Sequence, residues 1–337
     1  MMFMNPAYIQ IRQAPYYTSS ESTTMDRCPA EIVLRFANFA CTDGEEAGCS
    51  LSLVSHYVRG ATAPLRYHSV AIIGQDNLLS FATLVRDGRI PVVIQHVFIS
   101  IWMQVPREKL KALEEALATV LARAAPSVQT LVVHDARRAK NIIANLGTSF
   151  PVLKDFSLPS ENSLKTFDSA TFPALRRFHA CTLLNLRGFR LWEATALSFP
   201  SLTHLRITRI SQDRVLPPLL RMLLQITVPG EREFLPGSQE GAKVQRIADA
   251  LSQLKDVIVQ PRHFESDGYC GTGALLDGEM QMGLESIARA SKRAVGEGRL
   301  FLQPDSKEHT LEAAITDWLD LVAGGDGPWS VHVTDGR

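Results

Sequence analysis

Pro151-Val-Leu-Lys-Asp-Phe-Ser-Leu158 is a phrase that this chain repeats. It returns as Pro173-Ala-Leu-Arg-Arg-Phe-His-Ala180 and as Pro200-Ser-Leu-Thr-His-Leu-Arg-Ile207, and an earlier copy reads Pro126-Ser-Val-Gln-Thr-Leu-Val-Val133. Each copy reduces to apolar-x-x-apolar-x-apolar. The anchors are Val128/Leu131/Val133, Leu153/Phe156/Leu158, Leu175/Phe178/Ala180 and Leu202/Leu205/Ile207. The last two anchors of each copy lie two residues apart, which is the period of a strand that buries one face.

Less regular copies flank this block. Tyr67/Val70/Ile72 and Ile94/Val97/Ile99 precede it, and Leu223/Ile226/Val228 and Leu254/Val257/Val259 follow. The four central copies are spaced by 25, 22 and 27 residues, inside the window of leucine-rich repeats. A strand that buries a single row of side chains needs the next copy beside it, so such units stack into a solenoid. The expected fold class is therefore α/β, a leucine-rich-repeat-like solenoid over residues 67–305 with a C-terminal helix and tail over 306–337. The chance recurrence of short Val/Ile/Leu strands does not explain a Pro at the same place in each central copy.

Composition narrows the function classes. The 337 residues carry 35 basic and 35 acidic side chains, so there is no global attraction to nucleic acid or to an anionic membrane. Cys28, Cys41, Cys49, Cys181 and Cys270 are odd in number and form no C-x-x-C pair. That pattern favours reduced thiols in the cytoplasm or nucleus over a disulfide framework or a zinc site. Gln10, Arg12 and Gln13 interrupt any signal-like apolar run, and the most apolar window, 90–105, contains Gln95, His96 and Gln104 and is too short to span a bilayer. Residues 1–26 are polar and aperiodic and are expected to form a disordered tail, with Met25 a second candidate start.

Between that tail and the repeats, residues 27–66 have a helical texture. Pro29 opens a segment whose Ile32, Val33, Phe36, Phe39 and Ala40 share one helical face. A polar loop over 42–48 follows, then a second helical segment with Leu51, Leu53, Val54, Ser55, Val58 and Arg59, then Pro64, Leu65, Tyr67, Ser69 and Val70. Pro29-x-Glu31-Ile32-Val33-x-x-Phe36, then Leu51-x-Leu53-Val54-Ser55-x-x-Val58-Arg59, then the Pro64 exit resemble the F-box. Cys28, His56 and Tyr57 depart from its usual leading Leu, basic residue and Trp. With a leucine-rich array behind it, the order is similar to that of divergent fungal F-box proteins. The resemblance implies a Skp-type linker subunit of a cullin–RING ubiquitin ligase as partner, bound through Pro29, Ile32, Val33, Phe36, Leu53, Val54 and Val58. The alternative is a leucine-rich-repeat interaction scaffold whose F-box-like end is only a structural cap for the open end of the array.

On the face of the array opposite the anchors, the pattern places His96, Phe98, Ser100, Thr130, Val132, His134, Asp155, Ser157, Pro159, Arg177, His179, Cys181, His204, Arg206 and Thr208. Asp155, Arg177, His179, His204 and Arg206 are its candidate substrate-binding residues, and a protein or peptide is the ligand class that such a mixture suits. His134, His179 and His204 fall on different strands, too far apart for one tetrahedral ion. No metal, cofactor, nucleic acid or membrane partner is expected. G-x-S-x-G, H-E-x-x-H and G-x-x-x-x-G-K-[ST] are absent. The Gly-rich fragment 268–273 around Cys270 lacks a strand ahead and a helix behind, and is expected to be a surface loop, as is 229–241. The final stretch, 324–329, is expected to fray. No catalysis is expected, and the F-box resemblance implies the role of a substrate receptor of an SCF-type ligase.

Overall fold

A strand whose alternate residues are apolar gains most when a helical layer covers that face, and this chain builds the arrangement eight times over. A computed structural model of the chain describes residues 28–40, 50–51, 53–90, 93–101, 107–134, 139–160, 167–182, 190–211, 213, 215–226, 239–262, 272–293, 299–304 and 310–330. The strands are β1 (Ser69–Ile73), β2 (His96–Ser100), β3 (Thr130–His134), β4 (Asp155–Ser160), β5 (Arg177–Thr182), β6 (His204–Ile210), β7 (Asp256–Pro261) and β8 (Arg299–Leu302). They form one parallel, open sheet in which each strand lies beside its sequence neighbour, β1 through β8.

The register aligns the anchors. Val70, Val97, Leu131, Phe156, Phe178, Leu205, Val257 and Leu300 form one row across all eight strands. All eight are buried in one apolar cluster. A backbone ladder runs just ahead of the strands: Gln95 and His96 donate to the His68 carbonyl, Gln129 to Gln95, Lys154 to Gln129, Arg176 to Lys154, Thr203 to Arg176, Lys255 to Thr203 and Arg299 to Lys255. Each strand thus begins at the level of the one before.

Helices α3 (Gln75–Arg86), α4 (Arg107–Ala124), α5 (Ala139–Asn145), α6 (Arg190–Ser198), α7 (Leu216–Leu223), α8 (Gln239–Ala250) and α9 (Thr272–Arg293) contribute to that cluster. In α4, Leu113, Leu117, Val120 and Leu121 are buried, so its stripe packs on the sheet and forms no coiled-coil seam. Among the described residues, α1 (Ala30–Ala40), helical residues 50–51 and 53–54, and α2 (His56–Thr62) precede the sheet, and α10 (Leu311–Val322) follows it.

The structure extends the repeated phrase by one residue. Leu153, Leu175 and Leu202 each donate their N–H to the carbonyl of Phe150, Phe172 and Phe199, at 3.3, 3.3 and 3.2 Å. The same turn is thus made three times, with a buried Phe before each Pro. Those rings stack along the array, Phe150 on Phe172 at 5.3 Å and Phe172 against Phe199 at 5.7 Å between centroids. Phe156 and Phe178 join them at 5.3 Å from Phe172 and 4.7 Å from Phe199.

Four expectations are corrected. Leu223 and Ile226 are not strand anchors: Leu223 ends α7, and β6 pairs directly with β7. Leu216, Leu219, Leu220 and Leu223 follow helical spacing, and Pro217 and Pro218 sit in the first turn, where a missing N–H costs nothing. Thr272 and Gly273 belong to the first turn of α9 and not to a loop. The stretch 324–329 does not fray, because Gly327–Trp329 is a buried 3₁₀ turn. Of the expected loop 229–241, Gln239, Glu240 and Gly241 form the first turn of α8 instead, while Val228, residues 1–26 and 229–238 lie outside the described residues.

Candidate functional site

The polar face of the sheet follows from period-two alternation. Residues between the anchors point away from the helical layer. The register sets Thr130, Asp155, Arg177, His204, Asp256 and Arg299 in one row and Val132, Ser157, His179, Arg206, Ile258 and Phe301 in the next. All five candidate substrate-binding residues, Asp155, Arg177, His179, His204 and Arg206, therefore share one face of three adjacent strands.

That face is not open to solvent. Asp155, His179 and Arg206 are buried, and Arg177 and His204 are half-buried. The cover is the chain's own C-terminal segment. Ala314 and Trp318 of α10 are buried with Phe98 and Val132, and Ala71, Ile73, Leu311 and Ile315 pack around them. Leu321 and Trp329 close over Ile258, with Phe301 alongside. Trp318 meets Phe98 at 5.7 Å between ring centroids, and Trp329 lies edge-on to His204 at 6.3 Å. The Arg177 guanidinium sits 5.9 Å from the Trp329 ring centre, within cation–π range.

Polar partners on this face are mostly internal to the sheet. Arg177 grips Asp155 through two parallel hydrogen bonds, Nε to Oδ1 and Nη2 to Oδ2, the fork geometry that suits a carboxylate. His179 bridges Ser157 Oγ at 3.2 Å and Thr208 Oγ1 at 3.1 Å. His204 pairs with Asp256 at 3.2 Å, while burial pulls its pKa down. Arg206 is the exception. It donates through Nη1 to the Pro328 carbonyl and through Nη2 to Gln303 Oε1 at 3.0 Å and Gln260 Oε1 at 3.4 Å, so it ties the sheet to the C-terminal turn. A cavity of about 20 Å³, room for one water-sized molecule, lies among Asp155, Ser157, His179, Asp317, Trp318 and Trp329. No group of three or more His, Cys, Asp or Glu among the described residues could hold a metal ion.

The N-terminal helices present a different surface. Ser55 caps α2 by accepting from the Val58 N–H at 3.1 Å, which breaks the second helical segment in two. α1 packs on α2, burying Val33, Ala37 and Val58. None of these three belongs to the cluster under the sheet. Val33 and Val58 therefore hold the module together and are withdrawn from the contact surface expected for the linker. Pro29 is exposed, as are Ile32, Phe36, Leu53 and Val54 at 39, 68, 69 and 47%. These four make up almost half of the nine large hydrophobic side chains exposed among the described residues. Scattered single exposures are ordinary on a protein surface; here four fall within residues 32–54.

Cys270 lies outside the described residues. Among the described residues no helix is long and apolar enough to cross a membrane. No family model matches the chain, and no curated protein matches its sequence.

Proposed function

We propose that this chain is a non-catalytic protein-interaction adaptor: the substrate receptor of an SCF-type cullin–RING ubiquitin ligase. Residues 27–66 act as an F-box-like module for a Skp-type linker subunit, and the sheet and its helices act as a leucine-rich-repeat-like solenoid that presents the substrate. Its place of work is the cytoplasm or nucleus.

One observation carries this reading. Ile32, Phe36, Leu53 and Val54, at positions the F-box pattern assigns to linker contact, are large, apolar and exposed on a module with its own small core. Truncating a buried anchor at the centre of an interface typically costs about 2 kcal/mol or more. Strand order supports the second half, since parallel strands laid down in chain order with a repeated turn are what stacked repeats produce.

The alternative function is a repeat scaffold whose helical end only caps the array. Tyr67, in the 3₁₀ turn that leads into β1, favours it by packing on Phe81 at 6.4 Å between centroids. Against it, a cap shields an open end by sharing the core of that end, and Val33, Ala37 and Val58 stand outside that core. The test is binding of a purified Skp-type linker to the full chain and to the Ile32→Ala/Phe36→Ala variant. The adaptor function predicts a stable complex with the former, and binding at least a hundredfold weaker with the latter.

A further inference from the structure

We propose that residues 310–330 are a self-ligand, which occupies the polar face of the sheet and gives way to a partner helix of the same chemistry. The inference deepens the adaptor function by naming what regulates its substrate face and what kind of segment that face takes.

The occupant itself reports the chemistry of the site. Ala314, Trp318 and Leu321, spaced i, i+4 and i+7, are the buried stripe of α10. They meet an apolar floor of Phe98, Val132 and Ile258. Past the helix, the Pro328 carbonyl accepts from Arg206, and Trp329 covers His204 and Arg177. The fitting partner is therefore an amphipathic helix with an aromatic anchor, followed by a turn that offers a backbone carbonyl to a buried guanidinium. Anchors at this spacing are the way a helix reads a groove.

Three features favour opening of this contact. First, the apolar residues beneath α10 form clusters separate from the one that fills the opposite face of the sheet. Second, the contact leaves polar groups poorly served: Trp318 Nε1 and Arg206 Nε are buried without a hydrogen-bond partner, and burial pushes the Asp317 carboxyl up. Trp192 Nε1, in the core under the other face, is orphaned too, so this is a cost that opening relieves and not a mark peculiar to the contact. Third, the face is self-sufficient once uncovered. Asp155 keeps Arg177, His179 keeps Ser157 and Thr208, and His204 keeps Asp256. Arg206 loses the Pro328 carbonyl and the nearby Asp317 carboxylate and retains Gln260 and Gln303. Lifting the segment leaves Arg206 with two neutral amide partners and returns it to solvent, and it exposes an apolar floor for a replacement helix.

The experiment combines native-state hydrogen exchange on the full chain with binding of a fluorescent peptide of residues 310–330 supplied in trans, using wild type and Trp318→Ala. Amides of 311–322 should exchange through a local opening at least tenfold faster than those of β4–β6. Trp318→Ala should accelerate them about tenfold further with strand protection unchanged, and should bind the peptide at least tenfold more tightly than wild type does. If Trp318→Ala also loosens the strands, Asp320→Ala supplies the same test, because that side chain is bonded to Gly327 N–H at 2.6 Å within the segment. The proposal is overturned if α10 and the strands exchange as one cooperative unit, or if the opened variants do not bind the peptide. Neither measurement involves the linker, so failure here leaves the adaptor function standing, and loss of linker binding leaves the self-ligand standing.

Discussion

At the scale of single residues, burial and the sign of charge decide the energetics. Phe156 and Phe178 are buried to within 1% and occupy neighbouring places in the aromatic stack. Either Phe→Ala change should lower stability by about 3–5 kcal/mol in denaturant titration. Two ionisable groups oppose each other across mildly acid pH. Burial pushes the Asp213 carboxyl up to about 6, against the pull of hydrogen bonds from the Val215 and Leu216 N–H groups. Its contribution to stability is full below about pH 4 and is lost as pH rises through 6. Burial, aided by His68, pulls His96 down to about 4. The contribution of His96 is full above pH 6.5 and is lost as pH falls through 4. Each is on the order of 3 kcal/mol, so wild type should show a shallow dependence. Asp213→Asn keeps the capping oxygen and removes one of the two slopes. Its Tm should rise steadily from pH 4.5 to 6.5, and an unchanged profile would show that Asp213 ionises freely in the folded chain.

At the scale of elements, the repeated phrase made β3 to β6 legible from the sequence, because strand period, Pro and anchor spacing are all local signals. The Phe ahead of Pro151, Pro173 and Pro200 carried the same information and went unread, although its turn and its stacking explain why the phrase begins there. α7 was misread because its leucines also satisfy a strand spacing over a few positions; Gln225, at φ 52°, then ends that segment. The cover on the polar face had no local signature. Arg206 and Pro328 lie 122 residues apart, and alternation distinguishes the two faces of a strand without telling whether the second meets water or another segment. Close approach between elements is also testable. A Cβ on Gly283, in the middle of α9, would stand 2.9 Å from the Pro217 Cβ of α7. Helix propensity alone would have Gly283→Ala stabilise by about 1 kcal/mol. Overpacking costs about 1–3 kcal/mol, so thermal melts should show a net loss, whereas a gain would mean that the α7–α9 contact yields easily.

At the scale of the whole molecule, the chain divides its surfaces by chemistry. One face of the sheet is spent on the core, the other is held under the C-terminal segment, and the N-terminal helices keep large apolar side chains in solvent. An exposed cluster has a cost in solubility, and an adaptor that must engage a constitutive partner has a reason to bear it. Because Ile32 and Phe36 are exposed, their truncation should change folding stability by no more than about 0.5 kcal/mol. The measurement that tests the account most directly is therefore calorimetric titration of a purified Skp-type linker into the full chain and into Ile32→Ala/Phe36→Ala, with thermal melts of both. The account predicts a 1:1 complex with the unaltered chain, its near-complete loss in the double variant, and superimposable melts. No binding by the unaltered, folded chain, or equal binding by both, would contradict it.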